Sequence, residues 1–340
     1  MANLPWGERH VIAVTRLRNI LRSHVVANDR ILEQKIADAG PGPQRVDPHI
    51  LTVARARMIQ QRIISVRQSQ NMPWYYLANT DPEMVEARFQ ILVQLQKEAQ
   101  VYSSLVGQAL EIAVLRALRA QTELTYIGDF LDLEEHDDSS QYSKEEPPAS
   151  LSGRRIPGRK RLDFLVHHEH AGYAGIEVKN VRQWFYPDRE EIREMLLKCC
   201  ALDIIPVLIA RRIHYSTFSV LNPCGVIIHQ TYNQLYPNCC AADLVPRLRD
   251  RDLLGFHDIR AIDAADANGT HARLSKFIHH NLPQLLPSAR TAFDEYKDLL
   301  AAYATGEYPY KEFAARVKRR YRNEPEDLTE AEPGPPDDEW

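Results

Sequence analysis

Cysteine is scarce in this chain and poorly placed for cross-linking. The five are Cys199, Cys200, Cys224, Cys239 and Cys240, an odd count with two adjacent pairs. That argues against a disulfide framework, and no pair has the C-x-x-C spacing of a zinc site, so reduced thiols in or near a core are expected. No apolar run approaches the ~20 residues needed to span a bilayer. The first residues lack the basic-then-apolar form of a signal peptide. The expectation is a cytoplasmic protein with no membrane partner. There is no phosphate-cradling glycine loop, no G-x-S-x-G elbow and no internal repeat. His167, His168 and His170 fall where a turn is expected and read as a solvated turn, not a metal site.

What is present is an ordinary globular composition, 44% hydrophobic and 26% charged, over 340 residues, long enough for two or three domains. The net charge of −4 hides an uneven distribution. Residues 1–80 carry eleven Arg/Lys against five Asp/Glu. Residues 129–146 carry eight acids against one lysine, and residues 153–161 hold five basic residues in nine. Residues 311–322 are basic again, and Glu324–Trp340 has eight acids, four prolines and no base. The expected organisation is a small domain at 1–80, a helical lead-in at 81–128, and a flexible acidic-then-basic loop at 129–155. A core at 156–240, a helical extension at 241–322 and a disordered acidic tail at 323–340 follow.

Within residues 1–80, helical periodicity runs from Glu8 to Arg22, with Val11, Val14, Leu17, Ile20 and Leu21 on one side. A second helix spans Asp29–Ala37, capped by Asn28 or Asp29. After a Gly-Pro loop at 40–43, a third helix starts at Asp47-Pro48, with Asp as cap and Pro at the first helical position, and runs to Gln60. Two strands follow, Arg62–Arg67 and Trp74–Leu77. Three helices and a β-hairpin in this order resemble a winged helix-turn-helix. The resemblance implies contact with nucleic acid, the third helix entering the major groove by its N-terminal end. Arg45, His49, Thr52 and Arg55 are then the contact candidates, with Arg67 on the wing. The local excess of basic charge suits a phosphate backbone.

The stretch around which the chain is organised is residues 161–180. Two β-rich runs, Arg161–His167 and Ala174–Lys179, flank a turn that holds Gly172. Period-2 alternation points Glu177 and Lys179 the same way, with Val178 opposite. If the runs pair as a hairpin, Asp163 lies beside them. Two carboxylates beside an ammonium suit a hard cation such as Mg²⁺ or Mn²⁺, with the lysine able to orient a water or offset charge on a phosphate.

Asp163 followed by Glu177-Val178-Lys179 resembles the PD-(D/E)XK nuclease superfamily, which includes restriction endonucleases and Holliday-junction resolvases. Leu162 stands where the motif has its Pro. Glu111 lies mid-helix in the apolar run Leu105–Ala120, and in that superfamily a helix ahead of the core often carries a Glu that joins the metal site. A helix over 188–202 and strands at Ile204–Ala210 and Gly225–His229 complete the superfamily's order. The resemblance implies an α/β fold with a restriction-endonuclease-like αβββαβ core, an N-terminal winged helix and a C-terminal helical extension.

It also implies a Mg²⁺-dependent endonuclease or nuclease hydrolysing phosphodiester bonds, with DNA the expected substrate. Asp163, Glu177 and Glu111 would hold metal with the Val178 carbonyl, and Lys179 would serve the nucleophile. The Glu111 carboxylate is expected within ~8 Å of those of Asp163 and Glu177. The helix at 190–202 lacks the Gln and Tyr of exonuclease-like members. The basic turn with Arg154, Arg155, Arg159 and Lys160 abuts this site and could hold a substrate backbone. Two alternatives stand beside this reading. One is a non-catalytic DNA-binding or regulatory protein on the same scaffold. The other is a subunit of a defence or repair complex activated by a protein partner or a second copy.

Overall fold

A computed structural model of the chain describes residues 4–37, 46–69, 71–133, 140–240, 242–254 and 272–324. It is a mixed α/β protein in two compact units. The first takes the chain up to residue 103 and again over 240–254; the second takes 104–239 and 272–324. The boundary expected at residue 80 therefore falls about one helix later.

The first unit runs α1 (Trp6–His24), β1 (Ala27–Asn28), α2 (Asp29–Ala37), α3 (Pro48–Gln60), β2 (Ile64–Ser69), β3 (Met72–Leu77) and α4 (Pro82–Val101). The strands form an antiparallel sheet in the order β1-β3-β2. Ala13, Leu17 and Leu21 of α1 are fully buried, as are Ile50 and Ala54 of α3. Val11, expected on the inner face, is 64% exposed instead, and the first turn of α1 buries Arg9 and His10. Arg9 takes the carboxylate of Asp47 at 2.7 Å, so Asp47 stands at the start of α3 without capping it. Asn28 does cap α2, its Oδ1 accepting the Ile31 N–H. The edge contact of Phe89 with Trp74 ties α4 to this sheet, which is why α4 belongs here and not to a lead-in.

The second unit opens with α5 (Ser103–Arg119). Five short strands follow: β4 (Thr125–Ile127), β5 (Asp129–Phe130), β6 (Lys144–Glu145), β7 (Ser150–Leu151) and β8 (Arg154–Arg155). Next come β9 (Phe164–His168), β10 (Gly172–Lys179), α6 (Glu190–Leu202), β11 (Ile205–Ala210), α7 (Tyr215–Leu221) and β12 (Ile227–Gln230). Helix α8 (Leu244–Arg249) lies in the first unit, and α9 (Ala272–Lys276), α10 (Leu282–Thr305) and α11 (Tyr310–Tyr321) complete the second. The segment Phe277–Asn281 between α9 and α10 is a π-helical turn.

The main sheet has the order β12-β11-β10-β9-β4. β9 and β10 form the expected antiparallel hairpin, with Gly172 at φ +74° where the chain reverses. β10, β11 and β12 are parallel, joined by α6 and α7 as crossovers. Alternate residues face two cores. Ile176, Val178, Val207 and Ile209 pack with α5 and the start of α10, while Leu165, Leu208 and Ala210 pack with α6, α7 and α11. The stretch expected as a loop at 129–155 is built differently. β5 pairs with β6 and β7 with β8, while 134–139, like the tail from 325 onward, lie outside the described residues. Among the described residues no single helix is long and apolar enough to cross a membrane.

Candidate active site

Hairpin pairing positions the first carboxylate. The Asp163 N–H donates to the Ile176 carbonyl at 3.1 Å, carrying the β9–β10 ladder one residue beyond Phe164. The Val178 N–H donates to Asp163 Oδ2 at 2.7 Å. Val178 thus enters the site through its amide donor. On β10 the alternation puts Glu177 beside Lys179, their side chains joined at 2.6 Å.

Glu111 comes from α5 and reaches the same place. Its Oε2 and Asp163 Oδ1 both accept from the Lys144 ammonium, at 2.6 and 2.8 Å. The two carboxylates are therefore no farther apart than those two bonds laid end to end, inside the expected reach of ~8 Å. Lys179 also feels the charges of Asp163 and Glu111, so Glu111, Asp163, Glu177 and Lys179 form one cluster.

Two members were not foreseen. Lys144 is the single lysine of an acid-rich stretch with no apolar period, which reads as solvated; β6 brings it in, 15% exposed, between Glu111 and Asp163. Lys198 sits on the sheet-facing side of α6, and its ammonium meets Glu177 Oε2 at 2.8 Å with both side chains 6% exposed. The only sequence signal for it was a charged residue among Met195, Leu196 and Cys199, on the face that α6 buries.

The electrostatics follow from this packing. Burial, then the Asp163 charge, pushes the Glu111 carboxyl up to about 7 against the pull of Lys144. Burial also opposes ionisation of Asp163, but Lys144 and Lys179 outweigh it and hold that carboxyl below its usual value. Both lysines are held above the ordinary ammonium value: burial works against their charge, and the carboxylates overcome it.

Two hard oxygen donors that share one cation fit Mg²⁺ or Mn²⁺, which takes one or two carboxylates and keeps several waters. The Lys144 ammonium stands where such an ion would be shared. Among the described residues no group of three or more His, Cys, Asp or Glu is arranged to hold a metal, so a resident ion would depend on Asp163, Glu111 and water.

The expected nucleic-acid contacts divide. Arg45 lies outside the described residues. His49 and Thr52 are exposed on α3, the Thr52 hydroxyl turned back to the Pro48 carbonyl. Arg55 does not face out: it pairs with Asp29 and lies over the Tyr75 ring. Arg67 pairs with Glu86 and covers Phe89. The exposed cation of α3 is Arg57. In the basic turn, Arg154 is engaged by Asp203 and Lys160 by Glu194, while Arg155 and Arg159 are exposed.

Compared with family models, curated proteins and solved structures, the chain gives no match.

Proposed function

We propose that the second unit is a divalent-metal-dependent nuclease of the PD-(D/E)XK kind and that the first is a winged helix-turn-helix that binds DNA. The observation that carries the enzyme reading is the convergence of Asp163 and Glu111 on one cation, beside Glu177 and Lys179 on the end of β10. The order α5, β9, β10, β11, α6 between β10 and β11, and β12 supports an endonuclease-like core. The order α1, β1, α2, α3, β2, β3 with sheet order β1-β3-β2 supports the winged helix.

Asp163 and Glu111 would hold the metal, with Glu177 beside them. A bound Mg²⁺ supplies Lewis acidity to the phosphate and makes water a better nucleophile. The chain's own groups do the rest. The Val178 amide fixes Asp163, Lys198 fixes Glu177, and Lys179, the most open of the three lysines at 25% exposure, faces charge developing on phosphate oxygens.

The experiment is cleavage of duplex, single-stranded and branched DNA and of RNA by the full chain, with Mg²⁺ or Mn²⁺ against a chelator. Metal-dependent cleavage that disappears in Lys179→Ala is expected. No cleavage of any substrate with either metal defeats the enzyme reading. One observation favours the non-catalytic reading: each carboxylate already has an ammonium partner. That reading expects no response to metal in either cleavage or melting temperature.

A further inference from the structure

A cavity of about 610 Å³ opens between β12 and the π-helical turn, within the second unit. Ile228 and His229 of β12 line it, with Arg273, Lys276, Phe277 and Asn281. The His229 ring stacks on Phe277 with centroids 4.1 Å apart and planes 13° from parallel. Its Nε2 is buried with no hydrogen-bond partner. Native interiors rarely leave a buried nitrogen unanswered.

Burial and Arg273 push the His229 imidazole down to about 4, so at neutral pH the ring offers one donor and one acceptor and no charge. Lys276 is exposed, and Arg273 lies across the Tyr232 ring. The stacked Phe277 and His229 rings, with two cationic side chains beside them, suit a heteroaromatic base carrying a phosphate. A π-helical turn is often found at functional sites.

The place matters as much as the lining. Val178 pairs with Ile209, and Ile209 with His229, in one row across the parallel strands. Two strand spacings put His229 about 10 Å from Val178. Both lie toward the carboxyl ends of β10–β12, where open parallel sheets bind ligands. The same turn is held to α5, which carries Glu111, by His279 Nε2 and the Ala117 carbonyl at 2.9 Å.

We propose that this cavity is a subsite for one nucleotide of a nucleic-acid strand crossing the Glu111–Asp163–Glu177–Lys179 cluster. The inference rests on the nuclease reading for the identity of that strand, and its test does not use cleavage.

The test is titration of the full chain, in chelator, with a deoxynucleoside 5′-monophosphate, the nucleoside, inorganic phosphate and a single-stranded hexanucleotide. The monophosphate should bind, and the nucleoside and phosphate should each bind about tenfold more weakly or worse. The hexanucleotide should displace the monophosphate. Lys276→Glu should weaken the monophosphate about tenfold without moving the melting temperature, because Lys276 is exposed. His229→Ala, which removes the ring stacked on Phe277, should cut the preference for nucleotide over phosphate. Absence of monophosphate binding, or equal binding by Lys276→Glu, overturns the subsite. A monophosphate that the hexanucleotide cannot displace overturns its assignment to a strand. Binding as expected in a chain that cleaves nothing with metal supports the subsite and defeats the nuclease reading alone.

Discussion

Lys144 holds the centre of the cluster, and its removal separates a structural ion network from a metal site. In Lys144→Met, Glu111 and Asp163 face each other with no ammonium between them. Without divalent metal the variant should be less stable, toward the lower end of the about 3–5 kcal/mol lost on breaking a buried pair, since the side chains keep 15% exposure. Added Mn²⁺ should then raise its melting temperature by more than it raises that of the wild type, because the metal no longer displaces an ammonium. Equal shifts in melts of both proteins would sink the idea. Glu111 gives a second test. With its carboxyl raised from 4.5 to about 7, the folded chain keeps a proton that the unfolded chain has lost between those values. That contribution to stability is full below pH 4.5 and is lost as pH rises through about 7. The gap in unfolding free energy between wild type and Glu111→Gln, from denaturant titrations, should therefore change with pH across that window and level off above it. A pH-independent gap removes the burial argument. Asp163, held low, contributes in full above pH 3.8 and loses its share as pH falls below that.

At the scale of elements, the hairpin and its Asp163, Glu177 and Lys179 were legible because strand alternation alone groups them. The mid-helix position of Glu111 among apolar residues pointed inward for the same kind of reason: a buried carboxylate needs a partner. Lys144 was not legible, because β6 is two residues long in a stretch without apolar period and its place depends on pairing with β5. Lys198 shows the converse, a lysine on a buried helix face that periodicity tends to assign to solvent. Close helix–sheet packing also escapes sequence. At Gly175 an added Cβ would come within 2.7 Å of Leu162, 3.0 Å of Ile204 and 3.1 Å of Cys199, all side-chain ends that can shift. At Gly225, with φ +79°, it would meet the backbone of Ala289 and Phe293 in α10 at 2.4 Å. Gly175→Ala should cost about 1–3 kcal/mol as ordinary overpacking. Gly225→Ala should exceed it, reaching the exceptional range above about 4 kcal/mol, because neither φ nor α10 can adapt. Denaturant midpoints rank the two, and the reverse order would contradict the close approach of the turn before β12 to α10.

For the whole molecule, positive charge is concentrated in the first eighty residues. Residues 1–80 carry eleven basic and five acidic side chains in a chain of net charge −4. Not all of that charge is available to phosphate. Arg9 is taken by Asp47, Arg55 by Asp29 and Arg67 by Glu86, all within the unit. Arg57 is exposed on α3, a little over two turns from His49 and about 80° round the helix from it. The two arginines of α3 should therefore behave oppositely. Arg57→Glu should weaken DNA binding across unrelated sequences and lower the salt slope by about one, the signature of a lost phosphate contact, with the melting temperature unmoved. Arg55→Ala should lower the melting temperature, by removing both the Asp29 pair and the stacking on Tyr75, and should leave the salt slope nearly as it was. Binding isotherms at several salt concentrations, with melts of the same preparations, decide it. If Arg57→Glu binds as wild type while Arg55→Ala flattens the slope, the face of α3 that meets DNA is the one turned toward Asp29, and the winged-helix reading of this unit fails.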